Sequence, residues 1–95
     1  MAGKTLTLEI MTPEGVAFRE SDIDGLVVRR KERRPFGSEI EVLPMHAPML
    51  ARIAKCTLRF YRQGETHHVE IDGGFMEVKQ GNVTVVVSGA HDFSA

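Results

Sequence analysis

Apolar and polar residues alternate in short runs along most of this chain. In residues 5–11, TLTLEIM, Leu6, Leu8 and Ile10 fall on one phase and Thr5, Thr7 and Glu9 on the other. That is the period of a strand buried on one face. TPEG follows with turn chemistry in Pro13 and Gly15, then VAF (16–18) as a short second strand. DIDGLVVR (22–29) predicts a third, in which Gly25 marks a bulge or a close approach. SEIEVL (38–43) alternates again, with Ile40 and Val42 opposite Glu39, Glu41 and Leu43. ARIA (51–54), TLRFYR (57–62), HHVEID (67–72), FMEVK (75–79) and VTVVV (83–87) complete the set. Gln63-Gly64-Glu65 and Gln80-Gly81-Asn82 supply hairpin turns, and Gly73-Gly74 breaks the chain between two strands.

No segment has a helical period. Nine or ten short strands spaced by turn signals predict an all-β fold, a flattened antiparallel β-sandwich or barrel. Residues 88–95, SGAHDFSA, carry no periodicity and read as a loosely held tail. At 95 residues the chain is a single domain, residues 1–95, with no repeats and no low-complexity segment. A domain of this size hides only about two-thirds of its unfolded surface, so a partner would add to its stability.

The formal net charge of −1 argues against a dedicated nucleic-acid binder, which carries a clear basic excess. A single cysteine, Cys56, excludes an internal disulfide. The first residues run straight into strand-like sequence, without a signal-peptide or transit pattern. No apolar run has the length of a membrane span. A membrane would matter only through a partner.

The candidate chemistry is sparse. A zinc site needs three or four converging ligands. His67 and His68 point to opposite faces of one strand and His91 lies in the tail, so no metal or other cofactor is expected. Cys56 has nothing nearby that suggests an oxyanion hole and reads as packing. DGGF is not followed by a helix and is no dinucleotide fingerprint. The conspicuous charge is RRKERRPFG (29–37), in which Arg29, Arg30, Lys31, Arg33 and Arg34 surround Glu32. Such a run is an exposed loop, a candidate partner-binding loop given the preference of interfaces for arginine. Contact with nucleic acid or another acidic partner through this loop is the rival reading; it needs exposed aromatics alongside, and only Phe36 and Tyr61 are near. A small metal-dependent enzyme built on His46 is a third. From the residues alone the chain is a binding or assembly module, not an enzyme.

One segment resists the strand pattern. IEVLPMHAPML (40–50) places two prolines and a histidine inside an apolar run. Proline cannot sit in a central strand. Taken in order, LTLEIMTPEGVAF, EVLPMHAPML, VEIDGGFMEV and NVTVVV resemble the epsilon subunit of F-type ATP synthases, called delta in mitochondria. The resemblance covers about residues 5–90, and the combination of LP-x-H-A-P-x-L with GGF-x-EV and N-V-T-V is specific.

The resemblance implies a flattened sandwich at the foot of a rotary central stalk. There it binds the gamma subunit and rests on the ring of c subunits. It would do no chemistry itself and would couple proton flow through the ring to ATP synthesis. The location implied is peripheral, on the cytoplasmic face of the bacterial inner membrane, with membrane contact only through the ring and none with nucleic acid. Carried over residue by residue, Glu39, Met45 and His46 would face the ring, and His46 could equally cap a corner of its own loop. Val42, Leu43, Met49 and Leu50 would pack inward or against gamma. An exposed gamma-binding face would drive weak self-association of the isolated domain.

Four departures from the family pattern stand out. Glu41 and Met45 replace glycines, which implies a wider loop. Lys55-Cys56 replaces Pro-Gly. The basic run is not a family feature and suggests an altered ring contact or an alternative ATP synthase. Finally, family members commonly continue into a C-terminal helical hairpin that can inhibit ATP hydrolysis. If 95 residues is the full length, that brake is missing.

Overall fold

The structure is a computed structural model that describes residues 4–32, 38–88 and, for the backbone, 90–93. Ten strands form two five-stranded sheets. They are β1 (Leu6–Thr12), β2 (Gly15–Ile23), β3 (Gly25–Arg29), β4 (Glu39–Val42), β5 (Met49–Ile53), β6 (Cys56–Arg62), β7 (Glu65–Ile71), β8 (Gly74–Lys79), β9 (Asn82–Val87) and β10 (Ala90–Phe93). The first sheet has the order β2-β1-β9-β8-β5 and the second β10-β7-β6-β3-β4.

The alternation read from the sequence places the core. On the first sheet Leu6, Leu8, Ile10, Ala51, Ile53, Met76, Val78, Val83, Val85 and Val87 are buried. On the second, Leu26, Val28, Ile40, Val42, Leu58, Phe60, Val69 and Ile71 are buried. All belong to one cluster between the sheets, and among the described residues no polar or charged residue is buried with them. Each such aliphatic side chain contributes roughly 1.5–3 kcal/mol of transfer free energy, which makes this layer the main source of stability.

Several boundaries differ from the sequence reading, each for a physical reason. β2 is nine residues long, not three, because it is an edge strand with most of its side chains exposed, so burial leaves little periodicity in it. Its register against β1 also shifts twice, between Leu6 and Leu8 and between Ile10 and Met11. The first shift inserts an extra residue near Asp22, which takes φ 60°. The sheets are not wholly antiparallel: β1 runs parallel to β9, because these strands come from opposite ends of the chain and no hairpin joins them. β10 falls in the stretch read as a tail; backbone pairing of Ala90–Phe93 onto β7 forms it without any alternation of residue type. The hairpin turns hold as expected. Gln63-Gly64 and Gln80-Gly81 both take positive φ at both central positions, the two-residue turn that matches strand twist. Gly25 is a close approach: a Cβ there would stand 3.0 Å from Leu43 Cδ2 and 3.2 Å from the Val42 carbonyl oxygen.

The sheets are joined at one corner by backbone. Beyond β3, Arg30 bridges Ile53, Lys31 N–H donates to the Arg52 carbonyl at 2.9 Å, and Ala54 N–H donates to the Arg29 carbonyl at 2.9 Å. Lys55-Cys56, the other departure from Pro-Gly, lies directly after this braced segment, at the start of β6.

Candidate partner-binding surfaces

The proline segment is the crossing from β4 in one sheet to β5 in the other. Leu43–His46 forms a tight turn in which His46 N–H donates to the Leu43 carbonyl at 3.1 Å. Pro44 occupies the second position and Met45 the third, with φ 70°. Proline then a positive φ is the pattern of a type II turn, which favours glycine at the third position. The expected wider loop does not form, because Met45 accepts the left-handed backbone itself. It holds its side chain in solvent, 77% exposed. The His46 ring is half-buried, and its Nδ1 lies 2.7 Å from the Ala47 carbonyl oxygen, a contact made when Nδ1 carries the proton and donates.

Glu39 is not beside this turn. It stands at the opposite end of β4, paired in register with Arg29, and its Oε2 lies 3.5 Å from Arg59. At about 3.3 Å per residue, β4 alone separates the two groups by roughly 10 Å. One partner meets Glu39 and Met45 together only if it runs along the β4 edge. The four apolar candidates also divide. Val42 is wholly buried and Met49 packs against the core, while Leu43 and Leu50 are exposed. The basic run divides as well. Arg29 ends β3, Arg30 and Lys31 belong to the braced corner, and Arg33 and Arg34 lie outside the described residues.

The first sheet's outer face carries a feature the sequence reading missed. Phe75 on β8 pairs with Val86 on β9, Val86 with Met11 on β1, and Met11 with Val16 on β2. Phe75, Val86 and Val16 are 52%, 50% and 54% exposed. They form an apolar row across four strands; on β5 the residue in register with Phe75 is Arg52, and Leu50, 73% exposed, lies a diagonal step away opposite Glu77. The signal was present in the sequence. Phe75 and Val86 occupy the outward phase of their strands, where FMEVK and VTVVV would otherwise carry polar residues.

The remaining candidates are structural. His67 stacks on Phe60 at 4.9 Å and 14°, with its Nε2 3.6 Å from Glu65. His68 lies on the outer face opposite Arg59. Among the described residues no group of three His, Cys, Asp or Glu side chains is placed to hold a metal ion. Cys56 is half-buried, and burial pushes its thiol up from the ordinary value of 9.0, the reverse of an activated nucleophile. Tyr61, an aromatic that a nucleic-acid surface would offer for base stacking, is half-buried beside Gly25. No helix of the described residues is long and apolar enough to cross a membrane.

The chain is 39% identical over 90 residues to the ATP synthase epsilon chain of Pelotomaculum thermopropionicum, covering 95% of this chain and 63% of that protein. It is 31% identical over 87 residues to the epsilon chain of Bacillus subtilis, covering 92% and 61%. It thus spans about three-fifths of the length of these relatives. Two cryo-EM structures share the fold. A chain of the Euglena gracilis mitochondrial ATP synthase (OSCP/F1/c-ring) superposes with a TM-score of 0.80 at 20% identity, over 97% of this chain and 56% of that one. A chain of the Tetrahymena thermophila mitochondrial ATP synthase central stalk and c-ring gives 0.72 at 10% identity, over 97% and 69%. The family model for the β-sandwich domain of the ATP synthase delta/epsilon chain matches residues 5–92, nearly the whole of the two-sheet architecture, and to that family the chain belongs.

Proposed function

We propose that this chain is a non-catalytic rotor subunit of a proton-translocating ATP synthase, binding gamma through the outer face of the first sheet and resting on the c-ring. The observation that carries the reading is the apolar row Phe75–Val86–Met11–Val16 with Leu50 beside it. A contiguous exposed apolar stripe on a small soluble fold marks an interaction site. Strands supply the row from four positions in the sheet, so its shape is rigid before any partner arrives, which lowers the ordering cost of association. Leu50 remains a gamma contact from the original candidates and Leu43 lies nearer the turn; Val42 and Met49 support the strands from inside. Glu39, Met45 and His46 are proposed ring contacts, reached along the β4 edge. The working location is peripheral, on the cytoplasmic face of a bacterial inner membrane.

Co-expression with the gamma subunit of the same genome tests this. A stable one-to-one complex is expected for the natural chain, and Phe75→Ser with Val86→Ser is expected to abolish it while leaving the urea midpoint nearly unchanged. A folded gamma that never co-purifies with the natural chain would end the proposal. A double variant that still binds would move the gamma site off this face.

A further inference from the structure

The braced corner gathers cations on a stiff frame. Two grooves, of about 520 and about 480 Å³, meet at Lys55, which lines both. Arg29 and Arg59 line the first, and Lys31 and Arg52 the second. Three acids share these walls: Glu39, Glu70 and Asp72. Glu39, the acid that the family resemblance directs toward the ring, is held 3.5 Å from Arg59 and sits in register beside Arg29. Among the described residues, Arg29, Lys31, Arg52 and Lys55 take part in no ion pair. The bonds from Lys31 to Arg52 and from Ala54 to Arg29 fix the backbone that presents them. At the other end of the sandwich the balance is reversed: Glu20 and Glu65 flank Arg62, Asp24 accepts from the Gln63 N–H, and Asp22 accepts from the Thr5 hydroxyl. A chain of net charge −1 therefore has one basic end and one acidic end.

We infer that the grooves on either side of Lys55 form a docking surface for an acidic protein segment. On the function proposed above, on which this inference rests, that segment belongs to the polar loops of the c-ring. Charge complementarity names the partner's sign. Unpaired cations on a fixed frame attract carboxylates and suppress a basic partner. The interleaved Glu39, Glu70 and Asp72 favour a shaped protein partner over a lipid surface, because fixed acids repel a uniform sheet of phosphates but set register against a patterned one. The sign is opposite to the one that an acidic Glu39 alone would imply.

The test uses the co-purified gamma complex of this chain and c-ring from the same organism in neutral-lipid nanodiscs. Ring capture is expected to weaken with added salt. Lys55→Glu, and Arg52→Glu scored in complexes that retain gamma because Arg52 pairs with Phe75, should each cost roughly tenfold or more in affinity, as charge reversal at a complementary contact does. Lys79→Glu, on β8 away from both grooves, serves as the control and should change little. Lys55→Gln and Arg52→Gln replace the reversals if those fail to fold, with a smaller loss expected. Unchanged capture by folded groove variants overturns the inference. So does Lys55-dependent binding to vesicles of anionic phospholipid without ring, which assigns the surface to lipid. If no gamma complex forms, the stalk reading fails separately. The surface is then probed with polyglutamate on the chain alone: Lys55-dependent binding sustains an acidic protein partner, and no binding overturns it.

Discussion

The alpha hydrogen of Gly74 points at the Val86 carbonyl, so closely that a Cβ in its place would stand 1.9 Å from that oxygen. No side chain fits there without moving β8 off β9, the pair that also carries Phe75 and Val86. Gly73 before it has φ 105° and faces the Ile53 carbonyl at 3.0 Å from a virtual Cβ. The double glycine is thus what lets the chain turn into β8 against two backbones at once. Gly74→Ala is expected to destabilise the domain by at least about 2 kcal/mol, in the range of severe backbone strain. Urea unfolding measures this, and a midpoint equal to that of the natural chain would contradict the close approach.

Met45 holds a left-handed φ that costs a residue with a side chain roughly 1 kcal/mol. Met45→Gly removes that strain and adds some unfolded-state entropy, so a net gain of several tenths of a kcal/mol is expected. Met45→Ala, which keeps the strain, should give none. Thermal midpoints of the two variants, compared side by side, decide the matter.

Phe60 meets the tilted ring of Phe18, 5.6 Å away, and stacks on the ring of His67. Phe60→Ala should cost about 3–5 kcal/mol, as for other buried aromatics. A double-mutant cycle with His67→Ala should return a coupling of roughly 0.5–1.5 kcal/mol from ring stacking. Zero coupling would make the two rings mere neighbours.

Burial raises the Cys56 thiol above its ordinary 9.0, so at alkaline pH the unfolded chain releases this proton before the folded chain does. The unfolded state then binds fewer protons, and stability must fall as pH climbs past about 9.0. Below that value both states keep the proton and the group contributes no slope. Cys56→Ala should flatten this alkaline decline in urea midpoints recorded against pH. An identical decline in the variant would assign it to other groups.

Strands whose side chains divide cleanly between core and solvent were legible: Leu6–Leu8–Ile10 and Leu58–Phe60 read correctly because burial imposes a period of two. β2 was not, since an exposed and bulged edge strand has little burial to leave a pattern. β10 was invisible for a different reason, being defined by backbone pairing rather than residue type. The turn at Pro44 was legible as a break but not as a tight one, because the glycine that normally announces it is Met45. The basic run looked like a solvated loop. Its first three residues instead belong to β3 and the braced corner, a long-range pairing that no local pattern encodes.

That corner has a mechanical consequence. Two sheets held face to face only by interdigitated side chains are laminae, and a tangential load tends to make one slip over the other. The links from Arg29, Arg30 and Lys31 to Ala54, Ile53 and Arg52 act as a rivet through the laminate. A force applied at the Lys55 corner reaches both sheets through covalent chain and backbone hydrogen bonds, so it loads them together instead of sliding one across the other.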